Sequence, residues 1–404
     1  MLLSERLHFS NNPEDQMELK KYFLQKFSPK FYCLFLCLFL TGCNFLGPKI
    51  LPQDRMGYND ALKNTEDEQI LLNLVRMQYG DRPYFVGVAS ITASTSFARG
   101  LSLNGTRATT KQSFLTPFPS NPSGILFQSG TLSPNISYAE TPTITYTPLQ
   151  GSTFTRQMLL PVSLEKISLL IHSGWSPARV LRLTTQSIGV LKNAPDSTRP
   201  GVSHIPEYKS FVRFSHLVRT LEREGIVNTH VVPKAKDEPF TIEVALIKHT
   251  PKGRQHMQEL LTLLGFKKWH DKFRIIESDR GTVDDATESV TIQTRSYLGI
   301  LYYLSKSVEV PQRDIERGFV VIPRTPNGQY FDWQKVTEGM MRIKYSLQRP
   351  SNDNINVIVF YRGMWFYIED SDSNSKETLS LLEQLFSLQA GNLAGNPPTL
   401  TLPI

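Results

Sequence analysis

Between Tyr58 and Tyr79 the apolar residues Ala61, Leu62, Ile70, Leu71, Leu74, Val75 and Met77 recur at steps of three and four, the spacing of one helix face. Gly80 stands where a left-handed cap would close that helix, and Glu66, Asp67 and Glu68 precede Arg76 in the order the helix dipole favours. After Pro83 the period drops to two. Residues 84–103 predict a long strand with Phe85, Gly87, Ala89, Ile91, Ala93 and Phe97 on one face. A Pro/Ser/Gly-rich loop over 109–130 leads to a second extended stretch at 135–148, where Ile144 and Tyr146 alternate with threonines. Together they predict a two-stranded ribbon. A hairpin within an ordinary sheet accounts for it first. The sharper reading is a ribbon that joins copies from neighbouring subunits into a barrel, because an isolated hairpin is marginal and leaves its edges open.

The pattern turns helical again from Ser163, a capping residue, to Gly174, then from Ser176-Pro177, and then over 208–224 with Phe211, Phe214, Val218 and Leu221 on one face before Gly225. A strand at 240–248, a helix at 254–264 closed by Gly265, strands at 273–277 and 289–293 and a helix at 296–305 predict an α/β-like module. A last block begins near Gln312, with a strand starting at Gly318 and others at 341–347, 356–361 and 364–368, the final pair joined at Arg362-Gly363. Asn374 with Glu377 reads as a capping box for a helix burying Leu379, Leu382, Leu385 and Phe386. The fold class expected is α+β: an N-terminal helix plus long β-ribbon, a central helical segment and a mixed α/β C-terminal part. The divisions fall at 1–42, 43–53, 54–150, 151–230, 231–311, 312–391 and a tail at 392–404.

The N-terminal segment carries an address. Lys20, Lys21, Lys26 and Lys30 precede an apolar run over 31–40, followed by Thr41-Gly42-Cys43, the order of a secretory signal peptide. The run is about ten residues, half of what a spanning helix requires, so cleavage is expected rather than retention. Leu40-Thr41-Gly42-Cys43 resembles a bacterial lipobox, in which Leu40, Thr41 and Gly42 admit the signal peptidase and the Cys43 thiol carries diacylglycerol. The plainer alternative is an unmodified thiol after an export signal or anchor. Residues 1–16 contain Glu5, Glu14 and Asp15 and do not suit a leader, which makes Met17 the expected initiator. Asn44 replaces the aspartate usual for inner-membrane retention, so the outer membrane is the expected destination. Residues 44–53, with Gly47, Pro48 and Pro52, read as a short tether.

All three cysteines lie within the first 43 residues, which excludes a disulfide scaffold and thiol catalysis in the mature body. A mean hydropathy of −0.25 excludes a multi-span membrane protein. Without residues 1–42 the chain keeps 39 Lys/Arg against 33 Asp/Glu, a scattered excess that export separates from nucleic acid.

The stretch from Asp54-Arg55 through Tyr58-Asn59-Asp60-Ala61 and Glu68-Gln69-Ile70 to Gly80-Asp81-Arg82-Pro83 resembles the opening of a family of uncharacterised proteobacterial envelope lipoproteins. Thr143-Ile144-Thr145-Tyr146-Thr147-Pro148, His172-Ser173-Gly174-Trp175 and Arg295-Ser296-Tyr297-Leu298-Gly299 extend the likeness. It implies an envelope location and a single-chain architecture, and no activity.

Positive signals for chemistry are few. Histidines 172, 204, 216, 230, 249, 256 and 270 form no ligand pair at helical spacing beside a carboxylate. The tetrads Ser163-x-x-Lys166 and Ser373-x-x-Lys376 lack the companion motifs of a penicillin-binding enzyme. Asp284, Asp285 and Glu288 read as solvated loop carboxylates, and Phe360, Tyr361, Trp365, Phe366 and Tyr367 as hairpin residues with a glycan-stacking surface as the bolder alternative. No catalytic residue, metal or cofactor is expected. The expected function is that of a non-enzymatic, lipid-anchored envelope protein, partnered by the membrane through Cys43 and by envelope proteins or its own copies. The alternative is a protein or enzyme acting on cell wall or glycan.

Overall fold

The computed structural model of the protein describes residues 47–107, 128–198, 204–232 and 239–390, and of 47–55, 93–107 and 128–140 the backbone alone. The chain divides into two units, Met1–Glu66 and Asp67–Ile404. Within the first, the described residues are helical from Gly47, as the opening of helix α1 (Gly47–Gln78). The helix therefore takes in residues 47–53, which the Gly/Pro content marked as tether. Pro48 falls in the first turn, where N–H groups have no intrahelical partner to lose.

In the second unit, the later turns of α1 bury Ile70, Leu71, Leu74, Val75 and Met77, the later part of the predicted stripe, whereas in the first unit Ala61 is exposed and Leu62 half-buried. Gly80 ends the helix at φ 80°, with the Asp81 N–H reaching the Arg76 carbonyl at 2.9 Å. The ribbon follows as β1 (Val86–Arg107) and β2 (Gln128–Pro148), an antiparallel pair that forms a sheet of its own.

Short helices α2 (Ser152–Leu159), α3 (Leu164–His172) and α4 (Pro177–Thr184) come next. Ser163 caps α3 by accepting the Lys166 N–H, and Pro177 opens α4, both as the punctuation predicts. The central segment is not purely helical, however. Strands β3 (Thr185–Ile188), β4 (Leu191–Lys192) and β5 (Val227–Val231) flank α5 (Lys209–Arg223). They pair with β6 (Thr241–Leu246), β7 (Lys272–Glu277), β8 (Val283–Asp284) and β9 (Ser289–Thr294) in one seven-stranded sheet, ordered β4-β3-β9-β7-β6-β5 with β8 on β9. Only β7 and β9 run parallel. The sheet thus runs across residue 230. β3 follows α4 with no loop, and β3 and β4 are too short to show alternation, which is why the sequence read as helix there. Helix α6 (Pro251–Leu264), capped by Thr250 and closed by Gly265 at φ 103°, packs with α5 and the sheet.

Helix α7 (Tyr297–Ser305) is capped by Ser296 and leads to α8 (Gln312–Glu316) and α9 (Gln334–Thr337). The strand expected from Gly318 is absent: residues there make only the isolated Arg324–Tyr330 bridge. β10 (Lys344–Ser346), β11 (Ile355–Tyr361) and β12 (Met364–Glu369) form a three-stranded sheet in the order β10-β12-β11. Arg362 and Gly363 turn between β11 and β12 at φ 48° and 81°, the two positive values a tight hairpin requires.

The last helix, α10 (Ser373–Ala390), corrects the predicted cap. Asp372 accepts the Ser375 N–H at 3.1 Å, while Asn374 and Glu377 both accept from Arg179, at 3.0 and 2.7 Å. One continuous core runs from the later turns of α1 to α10 without the ribbon strands, and Phe85, Phe154, Tyr297 and Phe386 form its aromatic centre, the Phe85 and Phe386 rings stacked 5.4 Å apart. The fold class is α+β.

Candidate functional site

The ribbon is held where it leaves the core. Gln69 on α1 accepts the Val86 N–H at 2.6 Å, and the Leu149 N–H donates to Phe85 at 2.9 Å, closing the pair beyond its last register position. Phe85 is buried in the aromatic centre, and Asn73 engages the Tyr84 backbone through its carboxamide.

From that base the ladder runs without a break from Ser90↔Thr145 to Arg107↔Gln128. Below it lies one irregularity: Val88 faces Tyr146 and Ser90 faces Thr145, so Ala89 is an extra residue, a β-bulge. The bulge corrects the predicted face. Val86 and Val88, not Gly87 and Ala89, share the face of Ile91, because β1 changes parity at Ala89 while β2 does not. That face then carries Ile91/Ile144, Phe97/Tyr138 and Leu103/Leu132. The opposite face carries Ser94/Thr141, Ser102/Ser133 and Thr106/Ser129, and from Ser90/Thr145 to Thr106/Ser129 it holds no charged residue. Where side chains are described, Ile91 is buried, while Ile144 and Tyr146 lie on the surface at 40% and 59% exposure. Among the described residues no strand other than its partner pairs with β1 or β2, so each presents an open edge.

A second feature is a cavity of about 290 Å³ between α3, α4, α5 and the seven-stranded sheet, walled by residues such as Ile167, Leu181, Phe214, Val244 and Ile275. Ser168, His172, Glu222, Asn228 and Thr229 are its polar contributors. Partial burial raises the Glu222 carboxyl above its usual range, and His172 Nδ1 stays 2.8 Å from the Ser168 carbonyl. The space suits a small apolar molecule, and at its wall Ser168 Oγ lies 3.3 Å from His172 Nδ1.

The lipobox residues Leu40, Thr41, Gly42 and Cys43 lie outside the described residues. Neither Ser-x-x-Lys tetrad forms a nucleophile: Ser163 is a cap while Lys166 donates to Gln389 at 2.9 Å, and Lys376 donates to Asp370 at 2.7 Å. Among the described residues no group of three His, Cys, Asp or Glu side chains is arranged to hold a metal ion. The aromatic cluster divides between two faces. Phe366 is buried, Tyr361 donates to Asp81, and Phe360 and Trp365 pack on each other with rings tilted by 55°. Arg349 lies 5.1 Å from the Trp365 ring, and Phe360 is 56% exposed.

Three arrangements were missed by sequence reasoning. His270 is buried between Asp285, at 3.0 Å, and Glu288, at 3.5 Å; the hydrogen bond from His270 holds the Asp285 carboxyl below its usual range. This pair ties the turn after α6 to the loop before β9. The Asn73 clamp is the second. The third is Arg295, fully buried, whose guanidinium donates at 2.9 Å to the carbonyls of Arg182 and Leu183 and also to that of Asn193. The first two are carbonyls that the last turn of α4 leaves without helical partners. The Tyr303 ring lies 4.1 Å beneath the guanidinium, and burial pushes its pKa down to about 10, so it stays charged at neutral pH. A buried arginine without a carboxylate looks in sequence like any surface arginine.

No family model, curated protein or solved structure matches the chain.

Proposed function

We propose that this is a non-enzymatic envelope lipoprotein, anchored through diacylglycerol on Cys43, that acts by assembling with copies of itself through the ribbon as a subunit of an outer-membrane complex. The observation that carries the reading is a two-stranded ribbon of more than twenty residues per strand whose two edges have no partner strand among the described residues. Soluble proteins shield long edges with charge, bulges or covering elements, and an open edge of this length recruits another strand. The lipobox supplies the address, and acyl chains contribute about 0.8 kcal/mol per buried CH₂, enough to hold a folded body at a membrane.

The test is the native mass of the detergent-extracted, lipidated protein beside two variants. Cys43→Ser is expected to leave the membrane fraction. Removal of residues 99–133 is expected to reduce a multi-protomer species to a folded monomer. A parent protein that is itself monomeric overturns the assembly reading, and a membrane-bound Cys43→Ser variant overturns the anchor.

A further inference from the structure

We infer that the assembled ribbons form a β-barrel that crosses a lipid bilayer, with the apolar face against the acyl chains and the serine and threonine face around a water-filled lumen. The inference rests on the self-association proposed above and adds to it a membrane-spanning pore.

Length is the first argument. From Ile91/Ile144 to Leu103/Leu132 the apolar face covers twelve residue steps, about 40 Å of strand at ~3.3 Å per residue. Strands of membrane barrels tilt by about 35–45°, which reduces that run to about 30 Å, the thickness of a bilayer's hydrocarbon core. Arg107 stands beyond Leu103, at the far end of the band.

The character of the two faces is the second argument. A ribbon in water carries lysine, glutamate and aspartate on its solvated side. Here the polar face is made of small, uncharged residues, and the bulky ones all share the other face. Closing a sheet crowds its concave side and opens its convex side, so small hydroxyl residues inside and large apolar residues outside are what a barrel requires. A face-to-face pair of ribbons would bury the apolar side equally well and would give no reason for the missing charges on the other.

The open edges are the third. Strand β1 contains no proline. Pro134, Pro142 and Pro148 share one parity of β2; having no N–H to give β1, they belong to positions whose donors face away from it. A neighbour's β1 therefore meets isolated gaps in an otherwise complete row of donors. Two charges lie within the apolar band, Arg99 and Glu140, of opposite sign and on either side of Phe97/Tyr138. A stagger of two to four residues between copies, of the kind that tilts barrel strands, sets Arg99 of one copy diagonal to or opposite Glu140 of the next, on one face.

The experiment uses single cysteines introduced one at a time from position 94 to 103 in the full lipidated protein, reconstituted in vesicles of phosphatidylethanolamine and phosphatidylglycerol. Every native cysteine lies at or before Cys43, the expected lipid carrier, so the reporters stand alone. Ser94→Cys, Ser96→Cys and Ser102→Cys are expected to react with a membrane-impermeant maleimide. Phe97→Cys, Leu101→Cys and Leu103→Cys are expected to lose that reaction, and a bimane on them is expected to be quenched by brominated acyl chains. The parent protein is expected to release a small trapped dye, and the protein lacking residues 99–133 to release none.

Equal labelling of both faces in a particle of several protomers overturns the barrel and leaves self-association standing. Protection of the apolar face without quenching by brominated lipid overturns the bilayer contact in favour of packing between copies. Retention of the dye by the parent protein overturns the lumen. A monomer labelled on both faces overturns this inference together with the assembly reading. Retention of the parent's thermal unfolding by each cysteine variant separates these outcomes from misfolding.

Discussion

The side chain of Asn73 pairs with the backbone of Tyr84 as one strand residue pairs with another: its Nδ2 donates to the Tyr84 carbonyl and its Oδ1 accepts the Tyr84 N–H, both at 2.9 Å. Asn73 is fully buried on α1, so a helix residue provides the hydrogen bonds that a third strand would otherwise give the lead into the ribbon.

Replacing Asn73 with leucine removes both bonds and strands two backbone groups. The expected cost is about 2–3 kcal/mol, read from urea unfolding, with poorer self-association where the ribbon is no longer aimed. Unchanged stability would mean that water replaces the amide and the clamp is incidental.

Arg295→Met is expected to cost about 3 kcal/mol or more, because the carbonyls of Leu183 and Asn193 lose the guanidinium together and that of Arg182 keeps only the Asn193 carboxamide. Arg295→Lys is expected to recover little, since a single ammonium cannot reproduce the forked contact or the stacking on Tyr303. The competing outcome has a physical basis: buried charges replaced by well-packed apolar groups are sometimes neutral. Equal midpoints for parent and methionine variant would assign this site to that class.

Elements with a period or a punctuation mark of their own were legible in the sequence. The helix ending at Gly80, the Ser163 cap, the Gly265 closure and the Arg362-Gly363 turn all stand where local chemistry places them. What escaped depends on partners distant in sequence. Strands β3 and β4 exist because β9 lies beside them, and nothing in Thr185–Ile188 announces it. The bulge hides among small residues, since Gly87 and Ala89 continue an apolar alternation as readily as Val86 and Val88 do. Asn73, Arg295 and His270 are polar residues that the sequence assigns to the surface and the fold buries. The ribbon itself was visible, but its two faces required the register.

Lys306 is buried at 6% exposure, donates to Gln78 Oε1 at 3.2 Å and lies 5.9 Å from the Trp333 ring. Burial lowers its pKa from 10.5 to about 8. Below pH 8 the ammonium is charged in both states, and its burial is a constant cost. From about 8 to 10.5 the unfolded chain binds more protons than the folded one, so stability rises with pH through that window. Lys306→Met is therefore expected to be more stable than the parent at pH 7 by up to about 3 kcal/mol, with the gain vanishing by pH 10.5. Tyr79, Tyr297 and Tyr361, all raised by burial, lower stability above pH 10 in both proteins and cancel from the difference. A gap between the two unfolding curves that does not change with pH would refute the buried charge as its source.

Two glycines with positive φ are expected to respond differently to alanine. At Gly189, φ 52°, a Cβ would stand 2.2 Å from the Leu264 carbonyl oxygen, where the β3–β4 corner meets the end of α6. The expected loss is about 3 kcal/mol or more, because neither backbone can retreat without moving its element. At Gly363, φ 81°, no atom lies within 4 Å, and only the left-handed conformation resists, at about 1–2 kcal/mol. Similar midpoints for the two variants in thermal unfolding would show that the close approach relaxes freely.

The extra residue at Ala89 separates two properties of the ribbon. Its facing is set by which residues stand opposite one another, and its angle of departure by the twist gathered near the base. Deleting Ala89 would restore a regular ladder with Ile91 still opposite Ile144, so both faces would survive while the local bend straightened. The same body can therefore direct an unchanged ribbon along a new line by the gain or loss of one residue, with no change to either of its faces.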